Sequence, residues 1–231
     1  YEVLYLVLTT LGGDIHFPET FVKKARGLGF KALKVVVPSL CMSAGSLLCL
    51  ISDEVVAPRS AILGPIDPQI VVRSPGGLAL VSAIEYKRLI EETLPKLAEE
   101  KGLGVDGLAR LYVAQDMLLY QRSRQALAYI EKVLEELVKP RLSKREGYEK
   151  LFKNFVLEVK SHGKPLSIDF LESVGFPVKT VGEGTSFFGH LVEYYSRAQR
   201  SLTLERGKTS IKTMIIDTRM GGITLEAQLL R

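Results

Sequence analysis

Two short apolar runs, joined by a segment with helical periodicity, constrain the fold of this chain more than any other feature. The first run covers residues 2–10 and the second covers residues 34–37. Runs of this kind are typical of strands that are buried on both faces of a parallel sheet. Between them, Pro18 and Glu19 open an amphipathic stretch over residues 21–28. We therefore predict a right-handed strand–helix–strand crossover and an α/β fold.

The rest of the chain continues with short strands and longer helices. Pro65 and Pro68 exclude regular strand pairing in the loop at residues 64–69. Pro95 is expected to interrupt the first of the long helices. The predicted elements are a helix at 43–50, strands at 54–57 and 61–63, a turn at 73–77, helices at 83–101, 108–138 and 149–160, and a short helix that Ser167 caps and Gly175 ends.

The composition fits a globular chain and argues against a nucleic-acid partner. Of the 231 residues, 46% are hydrophobic, and the formal charge of +5 comes from 31 basic and 26 acidic residues. The charges are dispersed, and arginines do not alternate with aromatic residues as they do in many nucleic-acid-binding surfaces. We expect one domain over residues 1–197 and a C-terminal extension over residues 198–231.

Cysteine and histidine usage bears on the compartment and on cofactors. Cys41 and Cys49 lie in an apolar stretch and are interpreted as small buried residues, which fits a reducing, cytoplasmic location. No apolar run reaches the ~18 residues of a membrane span. Because Tyr1 falls inside a predicted strand, we expect the chain to start mid-protein, which leaves membrane association through a preceding segment open. The three histidines are scattered along the chain, and the sequence contains no phosphate-binding loop. We therefore predict neither a bound metal nor a cofactor.

Two turns follow the first two predicted strands. Gly12 and Gly13 follow the first, and Ser43 lies in a small-residue turn after the second, just before an apolar helix. In a parallel sheet both turns lie at the carboxyl edge, where ligand sites form. The hydroxyl of Ser43 is a candidate nucleophile, and the amides of Gly13 and Ala44 are candidate donors to an oxyanion. The alternative is a serine that only caps a helix, beside an ordinary glycine turn.

Four segments carry a resemblance to a known superfamily, which covers roughly residues 3–178. They read L-T-T-L-G-G-D at 8–14, V-P-S-L-C-M-S-A-G-S at 37–46, D-E-V-V-A-P-R-S-A-I-L-G-P-I-D-P-Q at 53–69 and S-H-G-K-P-L-S-I-D-F-L-E-S-V-G-F-P-V at 161–178. Together they resemble the Clp-protease/crotonase superfamily and most of all its serine dehydrogenase proteinase family, which is related to signal peptide peptidase A. The resemblance implies a spiral of β-β-α units with outer helices, with Ser43 as the nucleophile and Gly12, Gly13 and Ala44 around the oxyanion. Leu11 departs from the family pattern, which has a proline there.

The resemblance does not supply the general base that a serine nucleophile needs. Clp proteases carry a histidine in the loop where this chain has Pro65. One substitute is His162, oriented by Asp67, and the other is Lys87, in a Ser–Lys dyad like that of signal peptide peptidase A. Each also has a plain structural interpretation, because Lys87 lies in a charged helix, His162 in a loop and Asp67 in a tight turn.

The resemblance implies a serine peptidase that hydrolyses peptide bonds through an acyl-enzyme on Ser43, acting on peptide or protein substrates. Two alternatives remain at this stage: a crotonase-like acyl-CoA enzyme, and a non-catalytic assembly protein that has kept the fold. Relatives form homo-oligomers through helical segments, and the predicted helix at 108–138 is the expected contact element.

Overall fold

The computed structural model describes residues 2–74, 77–142, 144–157, 165–182, 185, 189–190, 193, 212–218 and 221–227. The strands are β1 (Val3–Val7), β2 (Ala32–Val36), β3 (Leu40–Cys41), β4 (Glu54–Ala57), β5 (Ile62–Leu63), β6 (Gln69–Ser74), β7 (Gly77–Ser82), β8 (Leu166–Ser167), β9 (Val178–Thr180), β10 (Lys212–Thr218) and β11 (Gly221–Ala227). The α-helices are α1 (Phe17–Gly27), α2 (Ala44–Ile51), α3 (Ala83–Arg88), α4 (Leu94–Glu100), α5 (Val105–Val113), α6 (Met117–Leu137), α7 (Arg145–Phe152) and α8 (Ile168–Ser173). Shorter helical pieces are two π-helical segments, Leu89–Thr93 and Lys153–Leu157, and a 3-10 turn, Lys139–Arg141.

Four parallel strands form the main sheet, in the order β1, β2, β4, β9. β1 pairs with β2 from Val3 opposite Ala32 to Val7 opposite Val36. Because α1 connects these two parallel strands, the predicted strand–helix–strand unit and the α/β class are confirmed. The structure thus has the mixed α/β architecture expected of a ClpP-like fold.

β1 lies at the edge of this sheet, and the prediction that it is buried on both faces was wrong. Tyr5 is 54% exposed and Val3 is 39% exposed, whereas Leu6 on the other face is 2% exposed. An uninterrupted apolar sequence does not distinguish a central strand from an edge strand, because aliphatic and aromatic side chains are also tolerated at partly exposed positions.

A second sheet carries the elements around Ser43. β3 pairs in parallel with β5, and β5 pairs with β8 in antiparallel fashion. Beyond the end of β1, Thr10 forms a parallel bridge with Cys41, so the chain that leaves the main sheet continues alongside β3. The turns after β1 and β3 are therefore held next to each other by backbone pairing.

The helix α2 lies at the centre of the core. All its residues are buried, and it contacts α1, α6 and β4. An α-helix that is apolar on every side is stable in water only when it is surrounded in this way. Its far end is anchored by Arg141, whose guanidinium donates to the carbonyls of Ile51, at 2.9 Å, and Ser52. Burial lowers the pKa of Arg141, an effect that the nearby Asp53 carboxylate opposes.

Three of the predicted helices differ from those in the structure. The helix predicted at 149–160 begins earlier, as α7 at Arg145, and continues into the π-helical segment Lys153–Leu157. The single helix predicted at 108–138 was wrong, since the chain breaks into α5 and α6. Asp116 starts α6, because its carboxylate accepts a hydrogen bond from the Leu119 N–H at 2.9 Å. The interruption predicted at Pro95 is present as the π-helical segment Leu89–Thr93, which accommodates a residue that has no N–H and would clash with the carbonyl four residues earlier.

Two hairpins were not predicted. The turn expected at 73–77 joins β6 to β7, which pair in antiparallel fashion from Gln69 opposite Ser82 to Ser74 opposite Gly77. In the C-terminal extension, β10 and β11 form a second antiparallel pair.

The short helix α8 matches its prediction, because Ser167 accepts a hydrogen bond from the Phe170 N–H at 3.2 Å. Gly175 follows the helix with φ +79°, as a helix-ending glycine does.

Candidate active site

Ser43 occupies a strained turn between β3 and α2. Its φ of 52° and ψ of −119° are unfavourable for a residue with a side chain, and it is the one non-glycine residue with positive φ in the part of the chain that the structure describes. It stands at the N-cap position of α2, yet its hydroxyl makes no capping hydrogen bond. The residue is 7% exposed. The strain therefore does not serve to cap the helix, and it leaves the hydroxyl free for another role.

The glycine turn faces Ser43 directly. Gly12 has φ +121°, and a Cβ built on it would lie 2.8 Å from the Ser43 Cβ and 3.3 Å from the Ser43 Oγ. The backbone brings them together, because the Met42 N–H donates to the Thr10 carbonyl at 2.9 Å. Only a residue without a side chain fits here, since both the φ angle and the space exclude a Cβ.

Thr10 holds the glycine turn in shape, and the sequence analysis did not identify it. The Gly12 N–H donates to the Thr10 Oγ1 at 3.0 Å, and this hydroxyl donates to the Gly12 carbonyl at 3.2 Å. The Gly12 amide is therefore committed to the turn, and the next amide, that of Gly13, is the one available to a ligand. A threonine two residues before a glycine turn is the sequence signal that points to such a contact.

Two backbone amides at the site are unpaired. Neither the Gly13 N–H nor the Ala44 N–H donates to an acceptor within the described residues. Gly13 is exposed, and a Cβ built on it would have no atom within 4 Å. Ala44 is the first residue of α2, where free amides and the helix dipole favour negative charge. Both amides have the property that an oxyanion donor requires.

The loop between β5 and β6 forms a further wall of the site. A Cβ built on Gly64 would lie 3.3 Å from the Met42 Cα, so this loop rests on the residue before Ser43. The Ile66 N–H donates at 2.7 Å to the Phe155 carbonyl in the π-helical segment Lys153–Leu157. The loop is thus held from two sides.

Asp67 lies in this loop and is 2% exposed. Its carboxylate accepts hydrogen bonds from the Gln69 side-chain amide at 2.7 Å and from the Ile84 N–H at 3.4 Å. The Ala83 N–H donates to the Pro68 carbonyl at 2.9 Å, which ties the loop to the start of α3. The buried carboxylate is therefore rigidly placed, as a group that orients a base must be.

The two candidate bases differ in what the structure describes. Lys87 lies on α3, where its Nζ forms an ion pair with Glu91 at 2.6 Å and its side chain is 40% exposed. This geometry engages the Lys87 Nζ with Glu91, four residues further along the chain, rather than with Ser43. His162 lies outside the described residues.

His16 lies just before α1, with its ring 4.3 Å from that of Tyr129, so it serves to pack α1 against α6.

Clusters of metal-binding side chains and membrane-spanning helices are both absent from the described residues. In these residues no three histidine, cysteine, aspartate or glutamate side chains are grouped to hold a metal ion. Within the same ranges, none of the helices has the length and apolarity needed to cross a bilayer.

The fold and the Ser43 turn define a ClpP-like α/β class, and comparison with known proteins agrees. Residues 4–97 match the family model described as ClpP-like SDH-type serine proteinase, so the resemblance of this region to the Clp-protease class is confirmed. The matched stretch includes the Gly12 turn, Ser43, Asp67 and Lys87. The family is named as a serine proteinase, and this name supports the interpretation that the chain is a hydrolase.

The similar curated proteins have no assigned function. An uncharacterized protein of Methanocaldococcus jannaschii is 28% identical over 147 residues, which are 63% of this chain and 42% of the relative. A second uncharacterized protein of that organism is 25% identical over 175 residues, which are 76% of this chain and 53% of the relative. The chain thus spans about half the length of the curated relatives it matches. No solved structure matches it.

Proposed function

We propose that the chain is a serine peptidase that hydrolyses peptide bonds through an acyl-enzyme on Ser43. The observation that carries the proposal is the strained Ser43, which makes no capping hydrogen bond and lies against Gly12. The amides that follow these two residues in the chain, those of Gly13 and Ala44, have no acceptor within the described residues. Strain of this kind persists only where the surrounding structure enforces it, and it is concentrated at functional sites. A serine that merely capped α2 would adopt an unstrained conformation and bond to the helix amides.

In the proposed reaction, the Ser43 Oγ attacks the scissile carbonyl carbon while a base takes the hydroxyl proton. The carbonyl oxygen gains a negative charge, and the amides of Gly13 and Ala44 donate to it, an interaction typically worth ~3–4 kcal/mol per donor. The protonated base then gives its proton to the leaving amine, and an ester on Ser43 remains. Water activated by the same base cleaves this ester and restores the hydroxyl.

We propose His162 as the base and Asp67 as the group that orients it. Support comes from the described residues on both sides of the segment that contains His162. On one side the Phe155 carbonyl accepts from Ile66 in the Asp67 loop, and on the other Leu166 pairs with Leu63 just before that loop. Four residues of chain reach at most about 14 Å, which is sufficient for a histidine near Leu166 to approach this loop. Lys87 is the second candidate, and its ion pair with Glu91 weighs against it.

Assembly and location follow as further proposals. We propose a homo-oligomer that uses the surface of α5 and the start of α6, where Val113 is 86% exposed, Leu118 is 56% exposed and Met117 is 49% exposed. An exposed apolar patch of this kind is typical of contact surfaces. The free, buried Cys41 and Cys49 support a cytoplasmic location, because persistent thiols are typical of reducing compartments.

Labelling with a fluorophosphonate probe tests the proposed function. We expect the probe to modify Ser43, as located by peptide mass spectrometry, and we expect Ser43→Ala to abolish the labelling. Ser52→Ala is the matched control, since it removes a buried serine just beyond the end of α2 that is farthest from Ser43. Absence of labelling throughout pH 6–10 would refute the peptidase and favour the assembly protein. Acyl-CoA binding that survives Ser43→Ala would favour the crotonase-like enzyme.

The pH dependence of the labelling rate identifies the base. A histidine gives a rate that rises with an apparent pKa near the ordinary value of about 6.5, whereas a lysine gives a rise at distinctly higher pH. His162→Ala is expected to abolish the lower-pH rise, and Lys87→Met is expected to leave it in place. The reverse result would assign the role to Lys87.

A further inference from the structure

Ser46 is a polar residue in the core that the proposed reaction does not use. It lies in the first turn of α2 and is fully buried. Its Oγ donates a hydrogen bond to the Cys41 carbonyl at 2.7 Å and accepts one from the Gly64 N–H at 3.0 Å. A buried hydroxyl without partners costs about 1–3 kcal/mol, so such a residue persists in a core only when it is bonded.

The single hydroxyl of Ser46 joins three segments that meet at the candidate site. Cys41 ends β3, two residues before Ser43, and Ser46 itself belongs to the helix that Ser43 starts. Gly64 is the first residue after β5, at the start of the loop that carries Asp67. The Gly64 N–H also approaches the Cys41 carbonyl at 3.2 Å, so this donor is shared between the two acceptors.

The bonds of Ser46 bear on the distance between Ser43 and the Asp67 loop. The Gly64 backbone is already in van der Waals contact with Met42, the residue before Ser43. The Met42 side chain packs over Gly64, and β3 and β5 pair up to Cys41 and Leu63, so the hydrogen bonds of the Gly64 N–H act where this pairing ends. Ser46 supplies the shorter of the two bonds that the Gly64 N–H makes.

We propose that Ser46 is a positioning residue, whose hydroxyl holds the strained Ser43 turn in register with the loop of Asp67. The proposal rests on the proposed peptidase function of Ser43. In Ser46→Ala the Gly64 N–H keeps only its longer bond to the Cys41 carbonyl, so the start of the loop is held less firmly relative to the nucleophile. A displacement of about 1 Å at a catalytic constellation typically costs on the order of 100-fold in rate.

Fluorophosphonate labelling rates of matched variants test this role. Ser52 offers the control, because it is equally buried, lies just beyond the other end of α2 and donates to the Cys49 carbonyl at 2.7 Å. We expect Ser46→Ala to label at least about tenfold more slowly than the unmodified chain. We expect Ser52→Ala to lose similar stability in urea and to keep its labelling rate. Ser46→Cys, which has nearly the same volume and a weak donor, is expected to fall between the two.

A second readout follows the geometry rather than the reaction. Amide hydrogen exchange at Gly64 should accelerate in Ser46→Ala and remain slow in Ser52→Ala, since only the former loses a bond to that N–H. If the unmodified chain is labelled and Ser46→Ala labels at the same rate, the positioning role is overturned while the peptidase stands. If the unmodified chain is not labelled at all, the peptidase falls and the positioning role falls with it.

Discussion

Substitution of Gly12 by alanine tests the contact between the two turns most directly. Gly12 has φ +121°, a conformation that side-chain-bearing residues avoid at a cost of about 1–3 kcal/mol. The added Cβ would also lie 2.8 Å from the Ser43 Cβ, well inside the optimum of about 3.5–4.0 Å, and such overpacking typically costs about 1–3 kcal/mol. The two effects together predict a loss of about 2–6 kcal/mol in the free energy of unfolding.

Two further glycines separate these effects. Gly29 has φ +90° with nothing within 4 Å of its added Cβ, so Gly29→Ala should show the backbone cost of about 1–3 kcal/mol without a collision. Gly13 has neither a left-handed φ nor a neighbour within 4 Å, so Gly13→Ala should change stability by less than about 0.5 kcal/mol. Urea unfolding measures all three variants.

The labelling rate of the same variants reports on Ser43. The Cβ of Gly12→Ala would lie 3.3 Å from the Ser43 Oγ and force the hydroxyl to move, so we expect the rate to fall on the order of 100-fold. Gly29→Ala should keep its rate, because that turn lies between α1 and β2, away from the site. If Gly12→Ala unfolds and labels like the unmodified chain, the two turns do not face each other as described, and the proposed site is refuted.

Two other predictions concern stability. Ser43→Ala should change the free energy of unfolding by less than about 0.5 kcal/mol, because the Ser43 hydroxyl caps no helix. Ser82→Ala should lower it by about 1 kcal/mol, because the Ser82 side chain caps α3. Equal losses for the two variants in urea unfolding would contradict this. Hydrogen bonds from Lys23 and Tyr129 lower the pKa of Glu19, so its stabilising contribution is present above pH ~4.3 and is lost as the pH falls through the lowered pKa. Glu19→Gln should therefore lose up to about 1 kcal/mol at pH 7 and progressively less as the pH falls below ~4.3, and a loss that does not depend on pH would contradict the cause.

The sequence predicted well those features that depend on residues close together along the chain. The β1–α1–β2 crossover and the cap of Ser167 on α8 each follow from local periodicity or from one residue and its neighbours. The turns at Gly12 and Ser43 were also predicted locally. Their contact required one further assumption, that parallel strands end at the same edge.

Features that depend on distant parts of the chain were missed or misread. β1 is exposed because no described strand pairs with it on its outer side. The sequence of β1 itself carries no information about that missing neighbour. The break between α5 and α6 falls at Asp116, whose role as a cap is visible only once the helix start is known. The hairpin β6–β7 was interpreted as a turn because its apolar residues, such as Leu78 and Leu80, are largely exposed, so that no buried apolar run marks its strands.

The same distinction explains why a candidate nucleophile was easier to propose from the sequence than a candidate base. A strained serine turn is encoded by about seven adjacent residues, from the end of β3 into the first turn of α2. A base and its orienting carboxylate are instead brought together by packing between distant segments. In this chain the Ile66 N–H, in the Asp67 loop, donates to the Phe155 carbonyl, more than eighty residues further along the chain. Proximity of this kind follows from the fold, and different folds meet the same geometric need with residues in different chain order. Asp67 illustrates the point, because its burial and rigid placement became evident only when the loop was seen between β5, α3 and the π-helical segment Lys153–Leu157.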